Sequence, residues 1–181
     1  LFRSYLSPVS TAGVDGLATM GSIESAITVW AASQTQDFTV YLVGPGLGSE
    51  FQVNGTETLA AAQLDAWLDD LQTTLPGKVT VIYDGDYSGT FMPLLTPPPA
   101  YAGKRIVICS AMGTQRAKSF WDGSVSFSWY FWSKVSGGAS INDAFSYARA
   151  SVQSCGGGQT AIMDASGDGR CVSVDERAIA S

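Results

Sequence analysis

Three short apolar runs, Phe38 to Val43, Val79 to Tyr83 and Ile106 to Cys109, alternate with segments whose apolar residues recur at helical spacing. The runs are rich in Val, Ile and Tyr and too short for helices, which predicts buried, parallel strands. Between them, Ile23, Ala26, Ile27 and Trp30 fall on one helical face, with Ser22 as the candidate N-cap. Leu64, Trp67, Leu68 and Leu71 repeat that pattern until Pro76-Gly77 stops it. Two more helices are expected: an aromatic one from Phe127 to Val135 closed by Gly137-Gly138, and one from Ile141 to Val152 opened by Ser140 and Asp143. Such alternation predicts an α/β fold: an open, mostly parallel sheet with helices on both faces, in three layers. The expected division is a main domain over 1–155 and a tail over 156–181.

Composition narrows the chemistry. The chain has 181 residues, enough to bury a core within one domain. Only 14% are charged, and 16 acidic against 10 basic side chains give a net charge of −6. A nucleic-acid partner therefore has no electrostatic footprint. The sequence contains no histidine, which excludes Ser-His and Cys-His catalytic pairs built within this chain. It also removes the commonest transition-metal ligand, for which 3 scattered cysteines do not substitute. No apolar run approaches the ~18 residues of a membrane span. The opening Leu1-Phe2-Arg3 shows neither a signal-peptide pattern nor an initiator methionine, which suggests a piece of a longer precursor with other domains. A composition poor in lysine and rich in Ser, Thr and Gly suits an extracellular, cell-surface or periplasmic protein. Cys109 reads as a small core residue, whereas Cys155 and Cys171 flank a Gly-rich turn and leave the question of pairing open.

In an open α/β sheet, functional residues sit beyond the carboxyl ends of the strands. Here those ends are Gly44-Pro45-Gly46, Asp84-Gly85-Asp86-Tyr87-Ser88-Gly89 and Ser110-Ala111. The stretch Leu75 to Gly89 resembles the bacterial legumain-type, caspase-like cysteine peptidases, which carry Asp-x-Cys-x-Ser-Gly at this strand end. The likeness takes in Asn54 to Glu57, Leu64 to Asp69, Met92 to Pro99, Arg105 to Ile108, Ser126 to Ser128 and Asp164 to Gly169. It implies a caspase-like sheet, but one in which both members of the catalytic dyad are gone. Pro45 stands at the histidine position and Asp86 at the cysteine position. Proline does not titrate and aspartate has no sulfur, so no intact catalytic residue is expected. The resemblance also implies that Asp84 lines the pocket for a basic P1 side chain, with Gly44 and Ser110 at the rims of the groove. A further departure lies at the front, where the family's first strand has no counterpart before Tyr5. The functional expectation is an inactive pseudo-peptidase domain that requires no cofactor. It would bind a peptide or protein, or serve as a structural module of a larger secreted or surface protein.

Two enzymatic alternatives use the same strand end. Val81 to Asp86 has the strand-Asp-x-Asp form of a Mg²⁺-dependent phosphotransferase or phosphatase. There Asp84 would be the nucleophile, Asp86 the acid/base, Ser110 the phosphate-binding hydroxyl, Lys118 or Lys134 the cation, and Asp164 with Asp168 further metal ligands. The other alternative is a hydrolase with Ser88 as its nucleophile. The aromatic run Phe127, Trp129, Tyr130, Phe131 and Trp132 cannot share one helical face, and it predicts a helix buried on one side only.

The tail contains Asp164, Ser166, Asp168 and Gly169 at positions 1, 3, 5 and 6 of an EF-hand-like loop, with Asp175 at position 12. A Ca²⁺ site built from Asp164, Ser166, Asp168, Arg170 and Asp175 is therefore expected to be weak, of the ~10⁻⁴–10⁻³ M class.

Overall fold

A computed structural model describes residues 6–119, 125–155 and 158–171. Two short parallel strands, β1 (Leu6–Ser7) and β2 (Gly16–Leu17), lead into α1 (Met20–Ser25), a π-helical stretch Ala26–Ala31 and α2 (Ala32–Gln34). The helix begins earlier than the sequence suggests. Thr19 is the N-cap and accepts a hydrogen bond from the Ser22 amide at 3.1 Å, so Ser22 is the capped residue. Strand β3 (Phe38–Val43) follows, and then an antiparallel meander of β4 (Gly46–Leu47), β5 (Glu50–Gln52) and β6 (Thr58–Ala60). Next come α3 (Ala61–Gln72), β7 (Val79–Asp84), β8 (Arg105–Cys109), α4 (Phe127–Ser136), α5 (Ile141–Ser154) and β9 (Ile162–Asp164).

The main sheet has the order β3-β7-β8-β9. The first three strands are parallel, with Val43 opposite Asp84 and Tyr83 opposite Cys109; β9 runs antiparallel to β8. β9, which lies beyond residue 155, is the edge strand of this sheet beside β8.

Side chains alternate across the sheet with period two, and each face has its own apolar layer. Val79, Val81 and Tyr83 of β7, with Val107 and Cys109 of β8, pack with Ile23, Ile27, Leu64, Leu68 and Leu71. Ile82, Ile106, Ile108 and Met163 project to the other side, against Phe127 and Phe131 of α4 and Phe145, Ala148 and Val152 of α5. Helices therefore cover both faces of an open sheet, as the α/β pattern requires. The aromatic helix resolves as its crowding predicts: Phe127 and Phe131 are buried, while Trp129 is 52% exposed.

One polar cluster fastens α3 to the sheet. Arg105 opens β8 and is fully buried. Its Nη1 donates to Asp65 Oδ1 at 2.6 Å, its Nη2 to Asp69 Oδ1 at 2.7 Å, and its Nε to Gln72 Oε1 at 2.8 Å. Asp65, Asp69 and Gln72 recur at helical spacing, so one face of α3 presents all three acceptors to the guanidinium fork. Burial and the neighbouring Asp69 carboxylate push the Asp65 carboxyl above its ordinary value, and outweigh the opposing pull of Arg105.

Among the described residues, no helix is long and apolar enough to cross a membrane.

Candidate functional site

Strand register brings the turns that carry Pro45 and Asp86 together. Pairing of Val43 with Asp84 carries the turn Gly44-Pro45-Gly46 beside Gly85-Asp86, and the Gly44 amide donates to the Asp84 carbonyl at 3.2 Å. The approach is close enough to require glycine twice. A Cβ on Gly46 would lie 2.5 Å from the Asp86 carbonyl oxygen and 2.0 Å from the Tyr83 hydroxyl. A Cβ on Gly85 would lie 2.1 Å from the Gly44 carbonyl oxygen. Beneath the turn, the Tyr83 ring meets Phe51 and Phe91 edge-on, at centroid separations of 5.5 and 4.9 Å. Its hydroxyl is buried without a hydrogen-bond partner, and burial drives its pKa well above the usual phenol value.

The groups at this strand end are committed to internal hydrogen bonds. Asp84 is only 7% exposed, and its Oδ2 accepts from the Ser128 amide at 3.0 Å and the Ser128 hydroxyl at 2.5 Å. The Ser128 Oγ in turn accepts from the Tyr41 hydroxyl at 2.7 Å. Ser128 lies in the first turn of α4, where a carboxylate meets both free amides and the positive end of the helix dipole. This places the carboxylate expected to face a P1 side chain against the protein's own helix instead.

Ser110, expected at a groove rim, is fully buried. Its Oγ accepts from the Gly85 amide at 3.2 Å, its amide donates to the Tyr83 carbonyl at 2.9 Å, and its carbonyl accepts from Gln159 Nε2 at 2.7 Å. Ser88 is likewise fully buried; its Oγ accepts from the Ala111 amide at 3.1 Å and lies 3.3 Å from the Ala111 carbonyl. A nucleophilic serine needs an accessible oxygen and a base to take its proton, and Ser88 occupies neither setting.

Asp86 remains partly exposed, and its Oδ1 accepts from the Ala117 amide at 2.9 Å. The turn between Asp86 and Ser88 is tight: Tyr87 adopts a left-handed conformation (φ 57°), unusual for a side chain of its size. Its amide donates to the Gln115 carbonyl at 2.8 Å, which joins this loop to the one following β8.

The magnesium alternative requires Asp84, Asp86, Asp164 and Asp168 around one point. Asp84 stands at the carboxyl end of β7, whereas Asp164 pairs with Val107, two residues before the carboxyl end of β8. The proposed cations are also dispersed. Lys134 lies over the Tyr147 ring at 4.3 Å, and the Lys118 amide donates to Gln159 Oε1. Among the described residues, no group of three or more acidic, Cys or His side chains is positioned to hold a metal.

The tail loop has its own logic. Asp164 Oδ1 accepts from the amides of Ser166 and Gly167 at 3.0 and 2.8 Å, and Oδ2 from the Gly169 amide at 2.7 Å. Asp168 Oδ1 accepts from the Arg170 amide at 2.9 Å. The loop therefore turns three of its N–H groups toward the Asp164 carboxylate. The Asp164 carboxylate closes the turn after β9. Asp175 lies outside the described residues.

Cys109 is a core residue as expected, and burial pushes its thiol pKa well above the usual value. Cys155 and Cys171 are exposed free thiols.

Sequence reasoning gave no role to Ser128, Gln159 or the Arg105 cluster. The spacing of Asp65, Asp69 and Gln72 on one helix face, in a chain with an apolar core, was the available signal for a buried cationic partner.

Comparison of the sequence with protein-family models and with curated proteins gives no match in either case.

Proposed function

We propose that the chain is a catalytically silent, caspase-like domain of legumain type, a protein-binding or structural module of a larger secreted or surface protein. The observation that carries this reading is the contact between Gly44-Pro45-Gly46 and Gly85-Asp86 at adjacent strand ends. A cysteine peptidase of this type needs its two loops in that relation, because the base must reach the nucleophile within hydrogen-bond distance. Here the same two loops present a proline and an aspartate. The hydrogen bonds of Asp84 to Ser128 and of Gly85 to Ser110 support a framework role for the pocket candidates, which favours a protein-binding or structural module over a retained pocket for a basic side chain.

Incubation of the purified chain with peptides bearing Arg, Lys or Asn at P1, with and without Ca²⁺, tests the reading. No cleavage above the buffer rate is expected. Cleavage that copurifies with the chain and is lost on Asp86→Ala would overturn it.

A further inference from the structure

The segment that carries Pro45 has glycine at every second position: Gly44, Gly46 and Gly48. The outer two have positive φ, 154° at Gly44 and 58° at Gly48. A Cβ on Gly48 would meet nothing within 4 Å, so glycine is needed there for its backbone conformation and not for space. Between these ends Pro45 is exposed and Leu47 is 80% exposed, so the segment buries little apolar surface of its own. Beyond the two-residue pairing of β4 with β5, its bonds to the rest of the chain are local ones. The Gly44 amide donates to the Asp84 carbonyl, the Gln52 amide to the Pro45 carbonyl at 3.0 Å, and the Thr90 hydroxyl to the Gly48 carbonyl at 2.5 Å.

What the segment covers is a polar group held dry. Gly46 lies against the Tyr83 hydroxyl, Gly85 against the edge of the same ring, and Phe51 and Phe91 flank it. Tyr83 is 1% exposed, and among the described residues its hydroxyl has no hydrogen-bond partner. A buried hydroxyl forfeits the bonds that water gives it, so closing the segment over Tyr83 carries a cost that opening removes. Glycines at both ends of the segment can absorb the change in φ and ψ that opening requires.

We propose that residues 44–48 form a flap, hinged at Gly44 and Gly48, that opens while the main sheet stays folded, and that the Tyr83 hydroxyl sets its equilibrium. Opening lifts Gly46 off the phenol, parts β4 from β5 and gives the hydroxyl to water. It also bares the aromatic wall of Phe51, Tyr83 and Phe91 beside Asp86. The strand end is a gated site, and the flap is closed in this structure.

Amide hydrogen exchange followed by NMR on the full chain, on Tyr83→Phe and on Gly48→Ala tests the proposal. The Gln52 amide, bonded to the flap, is read against the Val79 amide, which is bonded to the Lys104 carbonyl at the other end of β7. After correction for intrinsic rates, Gln52 in the wild-type chain is expected to exchange about tenfold faster than Val79 or more, as local opening requires. Tyr83→Phe is expected to slow Gln52 about fivefold relative to Val79, because the closed flap no longer buries an unpaired hydroxyl. Gly48→Ala is expected to speed it about fivefold relative to Val79, because the left-handed backbone penalises alanine in the closed flap. Alanine at position 48 meets no neighbouring atom, so that arm holds even if Tyr83→Phe fails to fold. Exchange of Gln52 only at the rate of Val79, or a ratio that either folded variant leaves unchanged or shifts the other way, would overturn the assignment.

Discussion

Asp84 and Ser128 are joined twice: one carboxylate oxygen accepts from both the amide and the hydroxyl of the serine, at 3.0 and 2.5 Å. The bonds tie the carboxyl end of β7 to the amino end of α4 across 44 positions of sequence. They also give Asp84 a structural occupation at the strand end where a peptidase of the resembled type would recognise its substrate.

If Asp84 anchors the helix, its removal registers as lost stability. Asp84→Ala is expected to cost about 1–2 kcal/mol, the scale of a lost helix cap. Ser128→Ala is expected to cost less, because its amide still reaches the carboxylate. The double variant should fall short of the sum, since the two residues share the same bonds. Urea denaturation of the four chains measures this, and strict additivity would refute the coupling.

The Arg105 cluster gives a pH prediction. The Asp65 carboxyl lies above its ordinary value of 3.8, so the folded chain holds that proton more tightly than the unfolded chain. The stability associated with protonated Asp65 is present below the ordinary value and is lost as pH rises through the raised folded value. Carboxyl NMR titration is expected to show the raised midpoint, and Asp69→Asn should lower it by removing a like charge.

Removal of the cation itself is more severe. Arg105→Met is expected to destabilise by about 3 kcal/mol, at the low end for a broken buried pair because Asp65 and Asp69 still reach water. The pair Asp65→Asn with Asp69→Asn leaves a buried guanidinium without a counter-charge, and should cost more than the two single changes together. Thermal melts of the set decide both points.

Close approach at the strand ends makes Gly46 sensitive. Gly46→Ala sets a methyl group against the Tyr83 hydroxyl and the Asp86 carbonyl, and a loss of about 1–3 kcal/mol is expected, as for other overpacked sites. Tyr83→Phe removes a buried hydroxyl that has no partner, and is expected to be neutral or stabilising. In the Tyr83→Phe background the cost of Gly46→Ala should shrink without vanishing, because the Asp86 carbonyl remains. An undiminished cost would show that the phenol is not the obstacle.

The inward-facing amides around Asp164 predict that millimolar Ca²⁺, followed by EDTA, leaves the melting midpoint unchanged. A ligand of the folded state would raise it. Asp164→Asn is expected to lower the midpoint in either medium, because it replaces charge-assisted bonds to the loop amides with neutral ones. A rise with Ca²⁺ that the Asp164→Asn variant lacks would restore the metal site.

The main strands, and the helices that pack against them, were legible in the sequence because their signals are local. Val79, Val81 and Tyr83 face one layer while Ile82 faces the other, and period two in the chain is enough to say so. The Ser140 cap followed for the same reason, since its partner, the Asp143 amide, is three residues away. Thr19 displaced Ser22 as the first cap because both are capping residues, and only the entry of the backbone into the helix selects between them.

The parts played by the strand-end residues were decided by tertiary structure. The residue types make Asp84, Ser110 and Asp164 hydrogen-bonding groups. Composition and spacing did not say with which groups. Gly85 lies 25 positions from Ser110, Asp84 lies 44 from Ser128, and Gln159 lies 49 from Ser110. At Asp164 the separation is short, but the outcome depends on whether the loop turns its amides or its carbonyls inward. The sequence by itself determined that there is no histidine and that the strand ends carry Pro45 and Asp86, since those are facts of composition and order. Whether a carboxylate at such an end faces a ligand or a helix amide depends on which backbone donors the folded chain brings within about 3 Å of it, a distance that exists only once the layers have packed.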